Sequence, residues 1–213
     1  QKSLLGFPDF ADSPFVLTDQ NGDLRSNADF VGHPIALFFG FTYCPDVCPT
    51  TLMSLANSLD ALSNAGVDAD RLQIIFISVD AERDTPQQLR DYLTLFKMDV
   101  VGLTGNAQAL ADSRVAFGAF AQKIENEDGD FNYDHSAAVY LYRSDGDFAG
   151  TIVFNEPEEF VRKELQSILN LYAKMVSNGS WKDYSFTSGV KEVSFNVYQR
   201  ASDKPVLRIL KNL

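Results

Sequence analysis

The sequence predicts an α/β fold in which a central mixed β-sheet is flanked by helices. Apolar runs typical of buried strands alternate along the chain with stretches whose apolar residues recur at helical spacing. Two later strand-like runs, 137–142 and 148–153, are joined by a polar turn, which predicts an antiparallel pair. Alternating β and α units that end in such a pair are typical of a mixed sheet covered by helices.

Local signals place the elements in chain order. Asn21-Gly22 is a turn signal inside residues 15–24, which are therefore predicted to form a hairpin. Residues 35–42 are predicted to form the first central strand, and residues 72–79 are apolar on both faces, as a buried parallel strand is. A further short strand is predicted over 100–103, and helices are predicted over 49–62, 86–96, 106–120 and 157–173.

The helix over 106–120 is followed by an acidic stretch. The apolar residues of this helix that are expected to face the core are Leu110, Val115, Phe117 and Phe120. Residues 125–130 are acidic and contain glycine, so they are expected to form an exposed loop. The next strand is predicted to begin at Ala137.

The chain is predicted to consist of one domain over 1–173 and a carboxy-terminal extension over 174–213. The segment 177–180 (Ser-Asn-Gly-Ser) resembles a linker, and beyond it apolar and polar residues alternate over 193–197, as in a strand with one apolar face. We expect this strand to pair with residues 206–210 in a β-hairpin. The hairpin would pack on the domain or form an edge for a partner.

Composition excludes some classes of function. The chain has 213 residues and a formal net charge of −11, with a pI near 4.5, which argues against binding to nucleic acid or to anionic membranes. No apolar run approaches the roughly 18 residues of a membrane helix. No signal peptide is visible either, so Gln1 is expected to be a processed end.

Both cysteines of the chain lie in the stretch 38–51, which runs from an apolar strand through a turn into a helix. Pro45 and Pro49 exclude both Cys44 and Cys48 from a regular helix interior. Pro49 suits the first helical position, which would place Cys48 at the positive end of the helix and favour its thiolate. Such a pair can be a structural disulfide, a redox couple or two metal ligands, and spacing alone does not decide.

His135 is the residue that favours a metal site. It lies 87 residues beyond Cys48, and an imidazole with two thiolates suits Cu(I), Zn(II) or, with a further ligand, Cu(II). The alternative is a loop histidine that is bonded to Asp134; in a metal site, Asp134 would orient the ring. The other histidine, His33, lies in a turn before Pro34 and is expected to be solvated.

Two acidic residues follow the strand over 72–79 at the same end of the sheet as Cys44. Asp80 and Asp84 are expected either to shape the surroundings of the cysteines or, with Thr85, to begin the next helix. The residue types alone leave both interpretations open.

Four segments carry a family resemblance. Residues 41–52 (FTYCPDVCPTTL) resemble the signature of the Sco (SenC) copper proteins of cytochrome c oxidase assembly. Residues 78–86 (SVDAERDTP), 102–105 (GLTG) and 134–136 (DHS) resemble later blocks of that family, in the same order and at similar intervals. The resemblance covers about residues 15–171.

The resemblance implies a thioredoxin-like fold in which Cys44, Cys48 and His135 are the metal ligands and copper is the ion. It implies a metallochaperone that delivers copper in assembly of the CuA site of cytochrome c oxidase. The partner would be an oxidase subunit or another copper carrier, in or facing the periplasm. Family members usually have an amino-terminal membrane anchor, which this chain does not show.

Other functions use the same two sulfurs. A thiol–disulfide oxidoreductase would cycle Cys44 and Cys48 between dithiol and disulfide, with or without a role in copper delivery. A peroxidase is a third class, since thioredoxin-like folds also host peroxidatic cysteines, but the proline-rich turn and distant His135 fit it less well. An inert structural disulfide is a fourth alternative, although a core of this size has little need of one.

Overall fold

The structure, a computed structural model, describes residues 7–126 and 129–177, and the strands 183–188, 192–198 and 207–212. The chain divides into two compact units, Gln1–Leu169 and Asn170–Leu213, and each is described by itself. In the first unit, buried apolar side chains from strands and helices form one continuous core. Gln1 and most of the linker predicted over 177–180 lie outside the described residues.

A seven-stranded mixed sheet forms the centre of the first unit. The strands of this unit are β1 (Val16–Asp19), β2 (Leu24–Ser26), β3 (Ile35–Gly40), β4 (Gln73–Ser78), β5 (Val100–Thr104), β6 (Ala121–Glu125), β7 (Phe131–His135), β8 (Val139–Tyr142) and β9 (Phe148–Ile152). The sheet order is β2-β1-β5-β4-β3-β8-β9, whereas, among the described strands, β6 and β7 pair only with each other. The mixed sheet and its helices confirm the predicted fold class.

The strand β3 lies in the interior of the sheet. All six of its residues are buried, and it runs parallel to β4 and antiparallel to β8. Because β3 and β4 are parallel and end in register, with Gly40 opposite Ser78, the turns that follow them meet at one edge of the sheet. Cys44 lies in one of these turns, with Cys48 at the start of the helix that follows it, and the other turn carries Asp80 and Asp84.

Four α-helices lie within the described residues. They are α1 (Val47–Asn64), α2 (Pro86–Leu93), α3 (Ala107–Ala116) and α4 (Glu158–Ser177). The start predicted for α1 is wrong by two residues, since Pro49 is its third residue rather than its first. A proline fits there because the N–H groups of the first turn have no partner within the helix.

The segment that follows α3 differs from the prediction. The helix ends at Ala116, and Gly118 adopts a left-handed conformation (φ 64°) that suits the exit from a helix. Leu110 and Phe117 are buried as predicted, but Val115 is 79% exposed and Phe120 is 52% exposed. The predicted loop over 125–130 is shorter than expected, because β6 and β7 form an antiparallel hairpin around it.

The second unit contains a three-stranded antiparallel sheet. Its strands are β10 (Asp183–Ser188), β11 (Glu192–Tyr198) and β12 (Leu207–Asn212), in that order. The predicted hairpin corresponds to β11 and β12, and β10 is an additional strand. The division into a domain over 1–173 and an extension over 174–213 stays a prediction, as does what the extension packs against. None of the helices among the described residues has the length and apolar character needed to span a membrane.

Candidate metal centre

The cysteine turn, residues 41–46, connects β3 to α1 and places both sulfurs at the edge of the sheet. Cys44 lies in the turn and is 9% exposed, whereas Cys48 is the second residue of α1 and is completely buried. The backbone N–H of Cys48 donates a hydrogen bond to Cys44 Sγ over 3.4 Å. Both cysteines are free thiols, so the pair is described in its reduced form.

Asp84 fixes the start of the cysteine turn. Its carboxylate accepts hydrogen bonds from the backbone N–H and the hydroxyl of Thr42, and from the hydroxyl of Ser78 at the end of β4. Burial raises the pKa of Asp84. Thr85, not Asp84, caps α2, because its hydroxyl accepts from the N–H of Gln88. Of the two interpretations of Asp84, the structure therefore favours the one in which it shapes the surroundings of the cysteines.

Gly40 allows the Cys48 sulfur to lie against the backbone of β3. A Cβ atom added at Gly40 would lie 2.7 Å from Cys48 Sγ and 2.8 Å from the Phe76 ring. Both distances are shorter than a real Cβ contact allows, so only glycine fits here without movement of its neighbours. The absence of a side chain at position 40 thus defines where the Cys48 sulfur rests.

The hairpin of β6 and β7 brings His135 to the sulfurs. His135 is the last residue of β7, and its Nε2 atom lies 3.6 Å from Cys48 Sγ. Its Nδ1 atom lies 2.9 Å from the backbone carbonyl of Ser136, which can only accept a hydrogen bond. The edges of Phe38 and Phe41 pack around the ring, with centroids 6.1 and 5.7 Å away.

The orienting role expected of Asp134 is therefore wrong. The side chain of Asp134 is exposed, and the group bonded to the imidazole is the Ser136 carbonyl. Adjacent residues of a β-strand point to opposite faces, so Asp134 cannot approach the ring of His135 closely. Its carboxylate contributes only a weak electrostatic effect, which raises the pKa of His135.

The two thiols differ in acidity. A hydrogen bond from the Cys48 thiol is the main reason that the pKa of Cys44 falls to about 4, and His135 and the Cys48 N–H lower it further. The same pairing, together with burial, raises the pKa of Cys48. Burial lowers the pKa of His135, but its hydrogen bond with Cys44 and the Ser136 carbonyl outweigh this effect, so the pKa is raised overall. The pair thus consists of a thiolate and a protonated thiol.

A pocket of about 290 Å³ opens beside Cys44 and gives access to the site. Its wall is formed by the cysteine turn on one side and by the histidine hairpin on the other. The residues that line it are Cys44, Pro45, Asp46, Val47, Asn132, Tyr133, Asp134, His135 and Ala137. The completely buried Cys48 is absent from this set, so an incoming group meets Cys44 first.

The predicted site residues converge in space. One potential donor atom from each of Cys44, Cys48 and His135 lies within 4.8 Å of the others. Within the described ranges, this is the one group of three or more histidine, cysteine or acidic side chains close enough to hold an ion. Two sulfurs and one imidazole nitrogen form a soft donor set that suits Cu(I).

Sequence reasoning missed the groups that hold these three residues in place. Gly40 and Ser136 act through the backbone, and Arg83 had no assigned role although it lies in one of the segments that carry the family resemblance. A glycine at the end of an otherwise bulky apolar strand was the available signal for a close backbone approach. No pattern in the sequence distinguishes the Ser136 carbonyl.

Comparison with known proteins supports the family resemblance. A family model described as SCO1/SenC matches residues 6–170, and one described as a protein of unknown function (DUF2794) matches residues 159–213. An SCO2-like protein of Rickettsia conorii is 35% identical over 156 residues, which cover 70% of this chain and 75% of the relative. The human mitochondrial SCO1 homolog is 31% identical over 174 residues, or 81% of this chain and 56% of that protein.

Solved structures show the same fold. The copper-bound ScoI of Bradyrhizobium japonicum is 39% identical, with a TM-score of 0.66 over 73% of this chain and 97% of that one. The copper-bound ScoI of Arabidopsis thaliana is 32% identical, with a TM-score of 0.68 over 75% and 98% of the two chains. These neighbours confirm the thioredoxin-like fold that the resemblance implied. On the extent of the family match and on this structural likeness, the chain belongs to the SCO1/SenC family.

Proposed function

We propose that this protein is a copper metallochaperone that binds one copper ion through Cys44, Cys48 and His135. It delivers that ion in cytochrome c oxidase assembly, at the CuA site. The observation that carries the proposal is the convergence of two sulfurs and one imidazole nitrogen within 4.8 Å. The copper-bound ScoI structures of Bradyrhizobium japonicum and Arabidopsis thaliana, both similar to this chain, support the choice of ion.

The separations between donor atoms fit a single ion. Metal–sulfur and metal–nitrogen bonds of about 2.3 and 2.0 Å place a sulfur and a nitrogen about 3.5–3.7 Å apart, and two sulfurs about 3.8–4.0 Å apart, at tetrahedral to trigonal angles. The distance from Cys48 Sγ to His135 Nε2 is 3.6 Å, which already satisfies this condition. The other separations are at most 4.8 Å, so the set closes on an ion with movements of about 1 Å.

An anaerobic titration of the reduced protein with Cu(I) tests the proposal. We expect one tight equivalent in the wild type and much weaker retention against a competing chelator in His135→Ala. The matched control is His33→Ala, which removes the other histidine of the chain and should leave retention unchanged. Equal retention of Cu(I) in His135→Ala and in the wild type would show that His135 is not a ligand.

The cupric form has a separate signature. Addition of Cu(II) to the protein should produce sulfur-to-copper charge-transfer bands in the visible spectrum if thiolates ligate the ion. The spectrum of Cys48→Ala should lose these bands or shift them, because one of the two sulfurs is gone. An unchanged spectrum in that variant would contradict ligation by Cys48.

The partner and the compartment are part of the proposal. We place the protein in the periplasm or at a membrane surface that faces it, with an oxidase subunit or another copper carrier as partner. The pocket beside Cys44 supports transfer by ligand exchange, because an incoming thiolate or imidazole reaches the ion from that side. Incubation of the Cu(I)-loaded protein with a purified CuA domain should move the ion, and retention by this chain would oppose the proposal.

A second function is favoured by the asymmetry of the two thiols. Cys44 has a pKa lowered to about 4 and lies at the pocket, whereas Cys48 is fully buried. The Cys44 thiolate attacks one sulfur of a partner disulfide, and the other sulfur leaves as a thiolate that takes up a proton. Cys48 then loses its proton and attacks Cys44 in the mixed disulfide. This releases the second partner thiol and leaves a Cys44–Cys48 disulfide, with two electrons transferred.

The two functions separate in one pair of variants. His135→Ala should keep most of the disulfide reductase activity but lose tight copper binding. Cys48→Ala should lose both activities. Copper loses one of its two sulfur ligands, and the mixed disulfide with Cys44 has no resolving thiol. A reductase activity that disappears in His135→Ala would contradict this division of roles.

A further inference from the structure

The position of His135 depends on a hairpin that is not part of the main sheet. The strands β6 and β7 pair only with each other, so no ladder of backbone hydrogen bonds connects them to β3 or β8. At its base, Ser136 exchanges hydrogen bonds with Phe120, which closes the hairpin on itself. The far end of the hairpin is therefore held against the domain by side chains.

Tyr133 packs edge-on against Phe41, and Arg83 provides a second group of these contacts. It lies in the turn between β4 and α2, and its Nη1 atom donates to the backbone carbonyl of Phe131 over 3.1 Å. Its guanidinium group also stacks on the Phe131 ring, 3.7 Å from the centroid. Phe131 is the first residue of β7, so one arginine holds both the backbone and the side chain of the strand that ends in His135.

The same guanidinium group contacts the cysteine turn. It lies 4.8 Å from the centroid of Tyr43, the residue before Cys44, and 5.9 Å from that of Phe41. Phe41 in turn packs edge-on against His135. Arg83 is thus placed between the part of the site that carries the sulfurs and the part that carries the imidazole.

Asp80 fixes the arginine itself. Its carboxylate is completely buried and accepts hydrogen bonds from the backbone N–H groups of Glu82 and Arg83 and from Arg83 Nε. Because the guanidinium side chain is only 19% exposed, this ion pair is weakly screened by solvent and holds one geometry. A flexible lysine could not reproduce the planar contacts on both sides.

We propose that Arg83 is a positioning residue that holds the histidine hairpin against the cysteine turn. By doing so it sets the distance between His135 Nε2 and Cys48 Sγ, and with it the contribution of the imidazole to ion binding. The inference rests on the proposed function, since it concerns the same three donor atoms. It adds a residue that does not bind the ion but determines how readily the imidazole leaves it.

A neighbouring contact supplies the matched control. Glu82 is adjacent to Arg83 and forms an ion pair with Lys123 on β6, at 2.6 Å, but both side chains are substantially exposed. Exposed pairs contribute little and are screened by salt. Glu82→Gln therefore changes a charge in the same turn, and a contact with the same hairpin, without removing the Arg83 contacts.

The test is a mutant cycle of Arg83→Gln with His135→Ala. In the presence of His135, we expect Arg83→Gln to weaken Cu(I) binding by about 10- to 100-fold, the usual effect of removing a group that orients a ligand. In the His135→Ala background, Arg83→Gln should have no further effect. A general structural role predicts the same loss in both backgrounds, and that result would overturn the inference. Glu82→Gln should bind like the wild type.

Amide hydrogen exchange of the metal-free proteins gives a readout without copper. Arg83→Gln should speed exchange in β6 and β7 and leave β3 and β4 unchanged. Amide exchange in the hairpin that is equally fast in Arg83→Gln and in the wild type would overturn the inference. If Arg83→Gln does not fold, Arg83→Lys keeps the charge beside Asp80 and takes its place in both measurements. A wild type that retains no Cu(I) would overturn the proposed function, and exchange alone would then decide whether Arg83 holds the hairpin.

Discussion

The two halves of the candidate metal centre are held by different kinds of interaction. The cysteine turn continues β3, a strand with hydrogen-bonded neighbours on both sides, and Asp84 ties it to β4. The histidine hairpin stands apart from that sheet and is held by side-chain contacts, among them those of Arg83 with Phe131 and of Tyr133 with Phe41. Segments held in this second way open at a lower free energy than sheet strands do. One half of the candidate site is therefore fixed to the sheet, and we expect the other half, the histidine hairpin, to open more readily.

The largest effect is expected when the fixed half is disturbed through Asp84. Replacement by alanine leaves the buried donors of Thr42 and Ser78 without their acceptor. We expect a loss of about 3 kcal/mol in the free energy of unfolding, measured with urea and circular dichroism. Asp91→Ala, at an exposed position on α2, should stay within about 0.5 kcal/mol of the wild type. A similarly small change for Asp84→Ala would contradict the idea of a fixed half.

Gly40→Ala should also disturb the fixed half, through packing rather than hydrogen bonds. The added methyl group would overlap Cys48 Sγ and the Phe76 ring, so we expect a loss of about 1–3 kcal/mol in unfolding free energy. Retention of Cu(I) should fall as well, because the sulfur moves. Gly150→Ala, which meets nothing within 4 Å, is the matched control in β9. Equal stability of the two variants would show that the backbone of β3 does not fix the sulfur.

The pKa of Cys44 depends on groups from both halves of the site, Cys48 and His135. Alkylation of the thiol tests this dependence. Its pKa of about 4 is lower than that of an ordinary thiol, so the reactive thiolate persists as the pH falls from 8 to 5 and disappears only near pH 4. Cys48 should not react over this range. In Cys48→Ala, the pH dependence of Cys44 alkylation should move to higher pH, and in His135→Ala it should move less. Mass spectrometry of the labelled sites measures both rates. A Cys44 rate that falls tenfold per pH unit below pH 8 would contradict the assignment.

The smallest effect is expected at the exposed ion pair between Lys123 of the histidine hairpin and Glu82. Lys123→Gln removes the exposed ion pair with Glu82 and the contact of the ammonium group with the Phe131 ring. We expect a loss of less than about 1 kcal/mol, which should shrink in high salt because the charges are screened. Thermal unfolding at low and high salt, with Glu82→Gln as the second member of the pair, measures the effect. A loss that is large and independent of salt would mean that this contact, and not Arg83, dominates.

The fixed half of the site could be predicted from the sequence to a large extent. A continuous apolar run predicted β3, and the prolines around Cys44 and Cys48 correctly predicted a turn that leads into a helix. The predicted end of β3 and the predicted start of α1 were each two residues late. The helix start was misplaced because several positions of a first helical turn accept proline. These signals are local in the sequence, so no knowledge of the tertiary structure was needed.

The histidine hairpin could not be predicted in the same way. The residues of β6 and β7 are exposed or only half-buried, so they lack the apolar alternation that marks a strand packed on a core. Helical spacing continued through Val115 to Phe120, although Gly118 ends the helix and both of those side chains are exposed. The stacking of Arg83 on Phe131 joins residues far apart in the chain, and no local pattern encodes it.

The hydrogen bond between His135 Nδ1 and the Ser136 carbonyl affects how this site tolerates amino-acid substitutions during evolution. Because the acceptor is a main-chain atom, no single amino-acid substitution deletes it; only a change in the course of the chain does. The imidazole tautomer with its lone pair on Nε2 is thereby independent of which side chains evolve around it. Substitutions around the pocket beside Cys44 can thus change which partners fit there, while the imidazole ring still presents Nε2 to the sulfurs.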